Sequence, residues 1–149
     1  MRTKTSLTQN ERLRVQRNPT VRVEGWPLTI VRYLANAIRS VGWLARSPAA
    51  SEPQYDLAWL ANDMLYVCEV KSLTKDNEER QLRMAIGQVI RYRQQLTAKG
   101  HEPCFAIICT EQQPSDLSWD QLCESEGIVL IWPEVAVQRL QEAHKRRLN

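Results

Sequence analysis

The sequence lacks the long apolar segments and the cysteine spacings that mark several common classes of protein. No stretch approaches the roughly 18 consecutive apolar residues of a membrane span, and the first residues lack the apolar core of a signal peptide. There is no Cys-x-x-Cys spacing among the four cysteines, which are Cys68, Cys104, Cys109 and Cys123. We therefore expect a cytoplasmic protein without membrane contact, whose cysteines are small buried hydrophobes in a reducing compartment.

Motifs for several kinds of catalysis are missing as well. The two histidines, His101 and His144, are isolated, and no His or Cys group has the spacing of a zinc site. The sequence has neither the Gly-x-Ser-x-Gly segment of an α/β-hydrolase nor a Walker-type glycine loop for a nucleotide phosphate. The chemistry of this chain, if it has any, must come from other residues.

Length and composition are those of a small globular domain. The chain has 149 residues, of which 43% are hydrophobic and 25% charged. A net charge of +3 permits an acidic partner without requiring one. Residues 1–25 are polar and basic and predict an N-terminal arm, either a frayed tail or a phosphate contact. Residues 26–149 are expected to form one domain.

A predicted β-hairpin over Tyr55–Lys71 carries the most informative pattern in the chain. Two β-rich runs flank the step Asn62-Asp63, which is typical of a tight turn. The second run has apolar residues on both faces, which indicates a central strand covered on both sides. A turn centred on that step predicts these opposed pairs: Leu60 with Leu65, Ala58 with Val67, and Asp56 with Glu69.

The predicted pairing brings two acids together at the end of the hairpin. Side chains alternate along a strand, so Lys71 shares the face of Glu69 while Val70 turns away. Opposed carboxylates raise one another's pKa unless a cation lies between them, and carboxylate oxygens suit Mg²⁺ or Mn²⁺. The alternative is a solvated surface ion pair of Glu69 and Lys71. A register shift of one residue favours that alternative, because it moves Asp56 to the other face.

These residues resemble the active-site signature of the PD-(D/E)XK nuclease superfamily, which has the restriction-endonuclease-like fold. Asp56 is followed, after twelve residues, by Glu69-Val70-Lys71. Tyr55 stands where the signature has proline. The resemblance implies that Asp56, Glu69 and the carbonyl of Val70 bind Mg²⁺, with Mn²⁺ as a substitute. It implies that Lys71 positions the attacking water or stabilises charge on the phosphate.

A second motif extends the resemblance to the RecB-like exonuclease branch. Gln88 and Tyr92 resemble its Gln-x-x-x-Tyr motif, which implies that they orient and support the water or the nucleotide. Both lie on one line of a predicted helix with Gln81 and Ala85, so Gln88 and Tyr92 can meet. The superfamily often has a further glutamate on its first helix. Here Glu24 lies just before that helix, which leaves the number of metal ions open.

The resemblance, which spans residues 28–110, predicts the fold and the activity. The implied fold is an α/β domain with an αβββαβ core, a mixed central sheet flanked by helices, and an extra C-terminal strand and helix. The implied activity is that of a magnesium-dependent deoxyribonuclease, with an endonuclease favoured. The alternatives are a non-catalytic DNA-binding or regulatory module on the same fold, and a small structural protein. A homodimer is compatible with the nuclease, because cutting two strands needs two sites.

Apolar periodicity, together with residues that start or stop helices, predicts the other elements. A helix opens at Pro27 with a buried stripe formed by Val31, Leu34, Ala35, Ile38 and Val41. A capping-box-like pair, Asp76 and Glu79, predicts a helix that runs to Ala98 and stops at Gly100. The remaining predicted elements are a first strand at 41–45, a buried strand at 103–110, a short helix at 115–124, a strand at 127–132 and a last helix from Pro133.

A basic line on the predicted 76–98 helix is a candidate DNA contact. Arg80, Arg83 and Arg91 lie along it, with Gly87 where a backbone can come close. A phosphate track is one interpretation. The other is a solvated helix face, because Glu78 and Glu79 dilute the charge at one end.

Overall fold

The computed structural model describes residues 26–149 of the chain, and for 26–28 it describes the backbone alone. The predicted N-terminal arm, 1–25, lies outside the described residues. The elements are α1 (Trp26–Ser40), β1 (Leu44–Arg46), β2 (Leu57–Ala61), β3 (Met64–Lys71), α2 (Glu78–Ala98), β4 (Cys104–Thr110), α3 (Ser118–Ser125), β5 (Ile128–Ile131) and α4 (Ala136–Leu148). The predicted αβββαβ order is confirmed, and α3, β5 and α4 extend it.

The five strands form one mixed sheet in the order β1-β2-β3-β4-β5. The pairs β1–β2 and β2–β3 are antiparallel, whereas β3–β4 and β4–β5 are parallel. α2 is the crossover between the two parallel strands β3 and β4, as predicted. Among the described helices, none is long and apolar enough to cross a membrane.

The hairpin between β2 and β3 has the predicted turn and register. Asn62 and Asp63 both have positive φ, 50° and 63°, which a two-residue type I′ turn requires and which these two residue types accept. Because the turn is centred on this step, the ladder contains the predicted pairs Leu60 with Leu65 and Ala58 with Val67.

Helices cover β3 on both faces, which confirms the predicted central strand. On one face Leu65 and Val67 pack in a core that includes side chains of α2 and α3. On the other face Tyr66, Cys68 and Val70 pack in a core that includes side chains of α1 and α4. The four cysteines are buried and free, as predicted. The face toward α2 is also the face of Glu69 and Lys71, since side chains alternate along the strand.

The predicted start of α2 is wrong. The helix begins at Glu78, and its start is held by Thr74 and Asn77, whose backbone and side chains bond reciprocally. The Thr74 amide donates to Asn77 Oδ1 at 2.6 Å, and the Asn77 amide donates to Thr74 Oγ1 at 3.2 Å. Asp76 therefore lies before the helix, while Glu79 bonds Arg83 instead of a backbone amide.

Three other predicted boundaries shift for local reasons. β1 begins at Leu44, not at Val41, because the chain turns at Gly42 with φ 85°. α3 begins at Ser118, because the amide and hydroxyl of Ser115 bond the buried carboxylate of Glu78, at 2.8 Å and 2.9 Å. The last helix begins at Ala136 and not at Pro133, since a turn from Trp132 to Val135 precedes it.

Candidate functional site

Asp56 lies directly before β2, at the end of the hairpin opposite its turn. Its amide donates to the carbonyl of Cys68 at 3.2 Å, and Cys68 is the partner of Leu57 in the last pair of the β2–β3 ladder. Its Oδ2 accepts a hydrogen bond from the amide of Val70 at 2.8 Å. The residue is 5% exposed. The ladder thus ends one pair before the predicted pair of Asp56 with Glu69, while a hydrogen bond between the two carboxyl groups brings these side chains together.

Glu69 is a buried carboxyl group beside a second acid. It is 2% exposed. Burial raises the pKa of Glu69 well above its usual range, and the charge of Asp56 together with a hydrogen bond between the two carboxyl groups raises it further. The charge of Lys71 and a hydrogen bond with the Tyr92 hydroxyl act in the opposite direction. Glu69 Oε2 has no hydrogen-bond partner.

Lys71 ends β3 with its side chain fully inside the protein. It is 0% exposed, and its Nζ has no hydrogen-bond partner. This burial rules out the solvated surface ion pair, because Glu69 is buried too. An ammonium group removed from water without a partner is costly. Such a group is a candidate for function when it lies beside perturbed acids.

The carbonyl of Val70 faces the same edge of β3 as Asp56. The next carbonyl, that of Lys71, accepts from the Glu111 amide at 3.2 Å on the β4 side. The amide of Val70 points the other way, to Asp56. Because the N–H and C=O of a strand residue lie on one edge, the Val70 carbonyl also points to the β2 side. This direction is the one that a metal ligand beside Asp56 requires.

The donors at this site fit a magnesium ion. Two carboxylates and one carbonyl match the ligands of Mg²⁺, which usually keeps several waters and substrate oxygens as its other ligands. The unpartnered Oε2 of Glu69 and the repulsion between the two acids are the observations that favour a cation there. Within 26–149, no group of three or more His, Cys, Asp or Glu side chains is placed to hold a metal ion.

α2 brings the two residues of the second motif to the same face of the sheet. The hydroxyl of Tyr92 hydrogen-bonds Glu69, and burial with the charges of Glu69 and Asp56 raises the pKa of Tyr92. Gln88 is half-buried, and its Oε1 has no partner. The hydroxyl of Tyr92 thus reaches the acid, while the predicted contact of Gln88 with Tyr92 stays a prediction.

Comparisons with known proteins do not decide the family. No protein-family model matches the sequence, and no curated protein matches it either. The chain is similar to the crystal structure of an XisH family protein from Nostoc punctiforme, with a TM-score of 0.48, 18% identity, and coverage of 72% of this chain and 94% of that one. It is also similar to a protein of unknown function, AF1548, with a TM-score of 0.48, 12% identity and coverage of 68% of this chain. The match spans 56% of the length of AF1548.

The three arginines of the basic line are all exposed on α2. Arg83 forms an ion pair with Glu79 at 2.9 Å, and Arg91 Nη1 donates to Gln94 Oε1 at 2.6 Å. A side chain added at Gly87 meets nothing within 4 Å, so the helix surface is open there. The structure thus places the line on solvent-facing helix surface, with part of the charge of Arg83 neutralised.

An open groove of about 530 Å³ lies between the loop at 51–53 and the C-terminal half of α2. Arg91 and Lys99 line it together with the acid Glu52. Neither Glu69 nor Lys71 lines the groove. The groove is therefore a separate surface and not the site itself.

A buried network before β2 was not predicted. The carboxylate of Glu52 forms an ion pair with Arg46 and accepts from the Tyr55 hydroxyl at 2.9 Å and the Ala49 amide at 3.0 Å. Although burial opposes it, these hydrogen bonds lower the pKa of Glu52. The network holds Tyr55, the residue before Asp56. In the sequence, the one signal was an acid within a loop of small residues and prolines.

The position of Gln81, like that of Glu52, was not predicted from the sequence. It is 1% exposed on α2, and its Nε2 donates to the carbonyl of Ser72 at 3.3 Å. Its Oε1 is buried without a partner. The helical line through Gln88 and Tyr92 already contained Gln81, so the signal was present without a role attached to it.

Proposed function

We propose that this chain is a metal-dependent nuclease of the PD-(D/E)XK type that hydrolyses phosphodiester bonds in DNA. One observation carries the proposal: Asp56, Glu69 and Lys71 are all buried at the end of the hairpin, where the carboxyl groups of Asp56 and Glu69 share a hydrogen bond and the charge of Lys71 acts on Glu69. Two acids that share a hydrogen bond beside an unpartnered ammonium are unfavourable for stability alone. Their arrangement suits a cation and an anionic substrate, which together neutralise these charges.

Each residue of the site has a separate role in the proposed hydrolysis. Asp56, Glu69 and the Val70 carbonyl would hold Mg²⁺ or Mn²⁺, which when bound polarises the scissile phosphate and lowers the pKa of the attacking water. Lys71 positions that water or stabilises the negative charge that develops on the phosphate. Gln88 orients the water or the nucleotide through its side-chain amide. Tyr92 holds Glu69 in place through its hydroxyl.

The same burial requires a movement before DNA can reach the site. Lys71 is fully enclosed, so a phosphate contacts it only after neighbouring side chains or α2 shift. This observation favours one alternative, a non-catalytic DNA-binding or regulatory module in which the enclosed charges never meet a phosphate. The two functions differ in whether bound DNA is cut.

A cleavage assay with matched lysine variants separates them. Linear, nicked and branched DNA are incubated with the protein in Mg²⁺, Mn²⁺ or chelator. Lys71→Ala is compared with Lys75→Ala, whose side chain is exposed in the loop before α2. We expect metal-dependent cutting that falls by about 100-fold or more in Lys71→Ala and is unchanged in Lys75→Ala.

Each other result has a defined meaning. Equal cutting by both variants contradicts the assignment of Lys71. A mobility shift without cutting supports the binding module. If the protein neither binds nor cuts any of the DNA substrates, both functions are contradicted and the structural protein is the remaining alternative. Circular dichroism of each variant shows that loss of cutting is not loss of fold.

A further inference from the structure

Buried polar atoms without hydrogen-bond partners concentrate beside the candidate site. Among the described residues six such side-chain atoms occur, and five of them form what we call the inner cluster: Glu69 Oε2, Lys71 Nζ, Ser72 Oγ, Gln81 Oε1 and Gln88 Oε1. The sixth, Trp59 Nε1, packs on the opposite face of the sheet. Since buried polar groups are nearly always paired, with protein or with ordered water, the inner cluster calls for a ligand.

Two contacts of α2 lie on either side of Lys71 along the chain. α2 runs back along β3, so that Tyr92 bonds Glu69 at one end and Gln81 bonds Ser72 at the other. Lys71 lies between Glu69 and Ser72 in the chain, and its side chain is on the face that α2 covers. The ammonium group and the side chain of Gln81 therefore lie in the same enclosed layer.

The orientation of the Gln81 amide is determined by its neighbour. The carbonyl of Ser72 can only accept a hydrogen bond, so the nitrogen of Gln81 must face it. Oε1 is consequently left as an acceptor inside the protein. Gln88 Oε1 is likewise buried without a hydrogen-bond partner.

Water is the ligand whose hydrogen bonding matches these groups. Lys71 Nζ can only donate, and Gln81 Oε1 can only accept. Phosphate oxygens accept without donating, so a phosphate matches Lys71 and leaves Gln81 unsatisfied. A water molecule accepts from the ammonium and donates to the amide oxygen, so it satisfies both.

We propose that Gln81 is a positioning residue of this site, which holds a buried water against Lys71. The effect of Gln81 on the cleavage rate rests on the proposed nuclease function. The presence of the water rests on the buried positions of Gln81 and Lys71 alone. The water and Gln81 restrain the ammonium group from the side of Ser72, as Tyr92 restrains Glu69 from the other side. Ser72 contributes through the carbonyl that orients Gln81.

Gln81→Met tests the effect on rate, because methionine keeps the length of the side chain and removes the acceptor. The control is Gln138→Met, at an exposed glutamine of α4. We expect Gln81→Met to lower kcat by about 10- to 100-fold and to leave KM for DNA within twofold. If Gln81 had only a structural role, Gln81→Met would lower stability without lowering kcat selectively at constant KM. Unchanged kcat, or a raised KM alone, overturns the proposal.

A high-resolution crystal structure of the wild-type protein provides a second test that needs no variant. We expect an ordered water within hydrogen-bonding distance of both Gln81 Oε1 and Lys71 Nζ. A dry cluster, or a direct bond between those two atoms, overturns the inference. If the wild-type protein cuts no DNA, the nuclease function fails by itself, and the presence or absence of this water alone decides the inference.

Discussion

Glu69 is a buried carboxyl group that makes stability depend on pH and, under the proposed function, on metal binding. Burial and the neighbouring Asp56 raise the pKa of Glu69, whereas a metal ion needs the ionised form. Without metal, the folded protein therefore holds a proton on Glu69 at a pH where the unfolded chain, with a usual value of 4.5, has lost it. A group of this kind stabilises the fold at low pH, and its contribution is lost as pH rises from 4.5 through the folded pKa.

Glu69→Gln is expected to remove this pH dependence. In chelator, the melting temperature of the variant should rise relative to wild type as pH increases from 5 to 8, because glutamine has no charge to repel Asp56. Added Mg²⁺ should raise the melting temperature of the wild type and leave that of the variant unchanged. Thermal melts at several pH values, with and without metal, provide the measurement.

The control for this experiment is Glu79→Gln, at an exposed acid of α2. That variant should follow the wild type in both the pH series and the metal series. If Glu69→Gln also follows the wild type, then the pKa of Glu69 is not raised in the folded protein. If the variant still responds to Mg²⁺, the metal binds elsewhere.

At the scale of elements, α4 secures the turn that sets the register of the hairpin. The two ring nitrogens of His144 contact the Tyr66 hydroxyl at 2.7 Å and Asn62 Oδ1 at 2.8 Å. A neutral ring satisfies both contacts, because one nitrogen donates and the other accepts. Asn62 lies in the turn, and the position of the turn decides whether Asp56 faces Glu69. The last helix therefore supports the site from the far end of the hairpin.

The contact predicts a pH effect of the opposite sign to that of Glu69. Burial and the charge of Arg147 lower the pKa of His144 below its usual 6.5. The unfolded chain then binds the proton first, so the stability that His144 contributes is complete above pH 6.5 and is lost as pH falls below it. We expect the melting temperature of the wild type to fall more steeply between pH 7.5 and 5.5 than that of His144→Gln.

At pH 7.5 the same variant should be less stable than the wild type. Two hydrogen bonds of about 1 kcal/mol each are altered, which corresponds to a loss of a few degrees in melting temperature for a domain of this size. Calorimetry or circular dichroism at each pH provides the test. Parallel pH curves for the two proteins would show that His144 does not titrate differently in the folded state.

At the scale of the whole molecule, the position of the basic residues matters more than the net charge of +3. Arg80 and Arg91 project from α2 on its exposed surface, and Arg91 also lines the groove next to Lys99. Arg83, in contrast, is paired with Glu79. Under the proposed function, this surface is the one along which DNA approaches, because α2 also carries the residues that cover the buried acids.

Arg91→Gln should weaken DNA binding without regard to sequence and reduce the slope of log affinity against log salt by about 1. Arg83→Gln should have a smaller effect, because Glu79 already neutralises part of the charge of Arg83. Fluorescence anisotropy with labelled DNA at four or five salt concentrations measures both. Equal slopes for the wild type and Arg91→Gln would remove this surface from the proposed DNA path.

The sequence alone determined the arrangement of the hairpin and therefore of the three central residues. A two-residue turn and the period of two along a strand are local properties, and together they predict Asp56 opposite Glu69 with Lys71 on the face of Glu69. The structure keeps this register as far as the pair Leu57 with Cys68, next to Asp56 and Glu69. Period likewise predicts the buried stripe of α1, in which Val31, Leu34, Ala35 and Ile38 are buried. The start of α2 was mispredicted, because two overlapping capping patterns lie within a few residues of each other and only contacts decide between them.

Only the tertiary structure decided that these groups are enclosed and which side chains lie beside them. The spacing of Glu69 and Lys71 is the same in a solvated ion pair and in an enclosed site, and packing under α2 makes it enclosed. The bonds of Tyr92 to Glu69 and of Gln81 to Ser72 join segments whose side chains meet only after the crossover folds onto the sheet. Periodicity states which face of an element is apolar. It does not state which partner covers that face, because that choice is made by packing between distant parts of the chain.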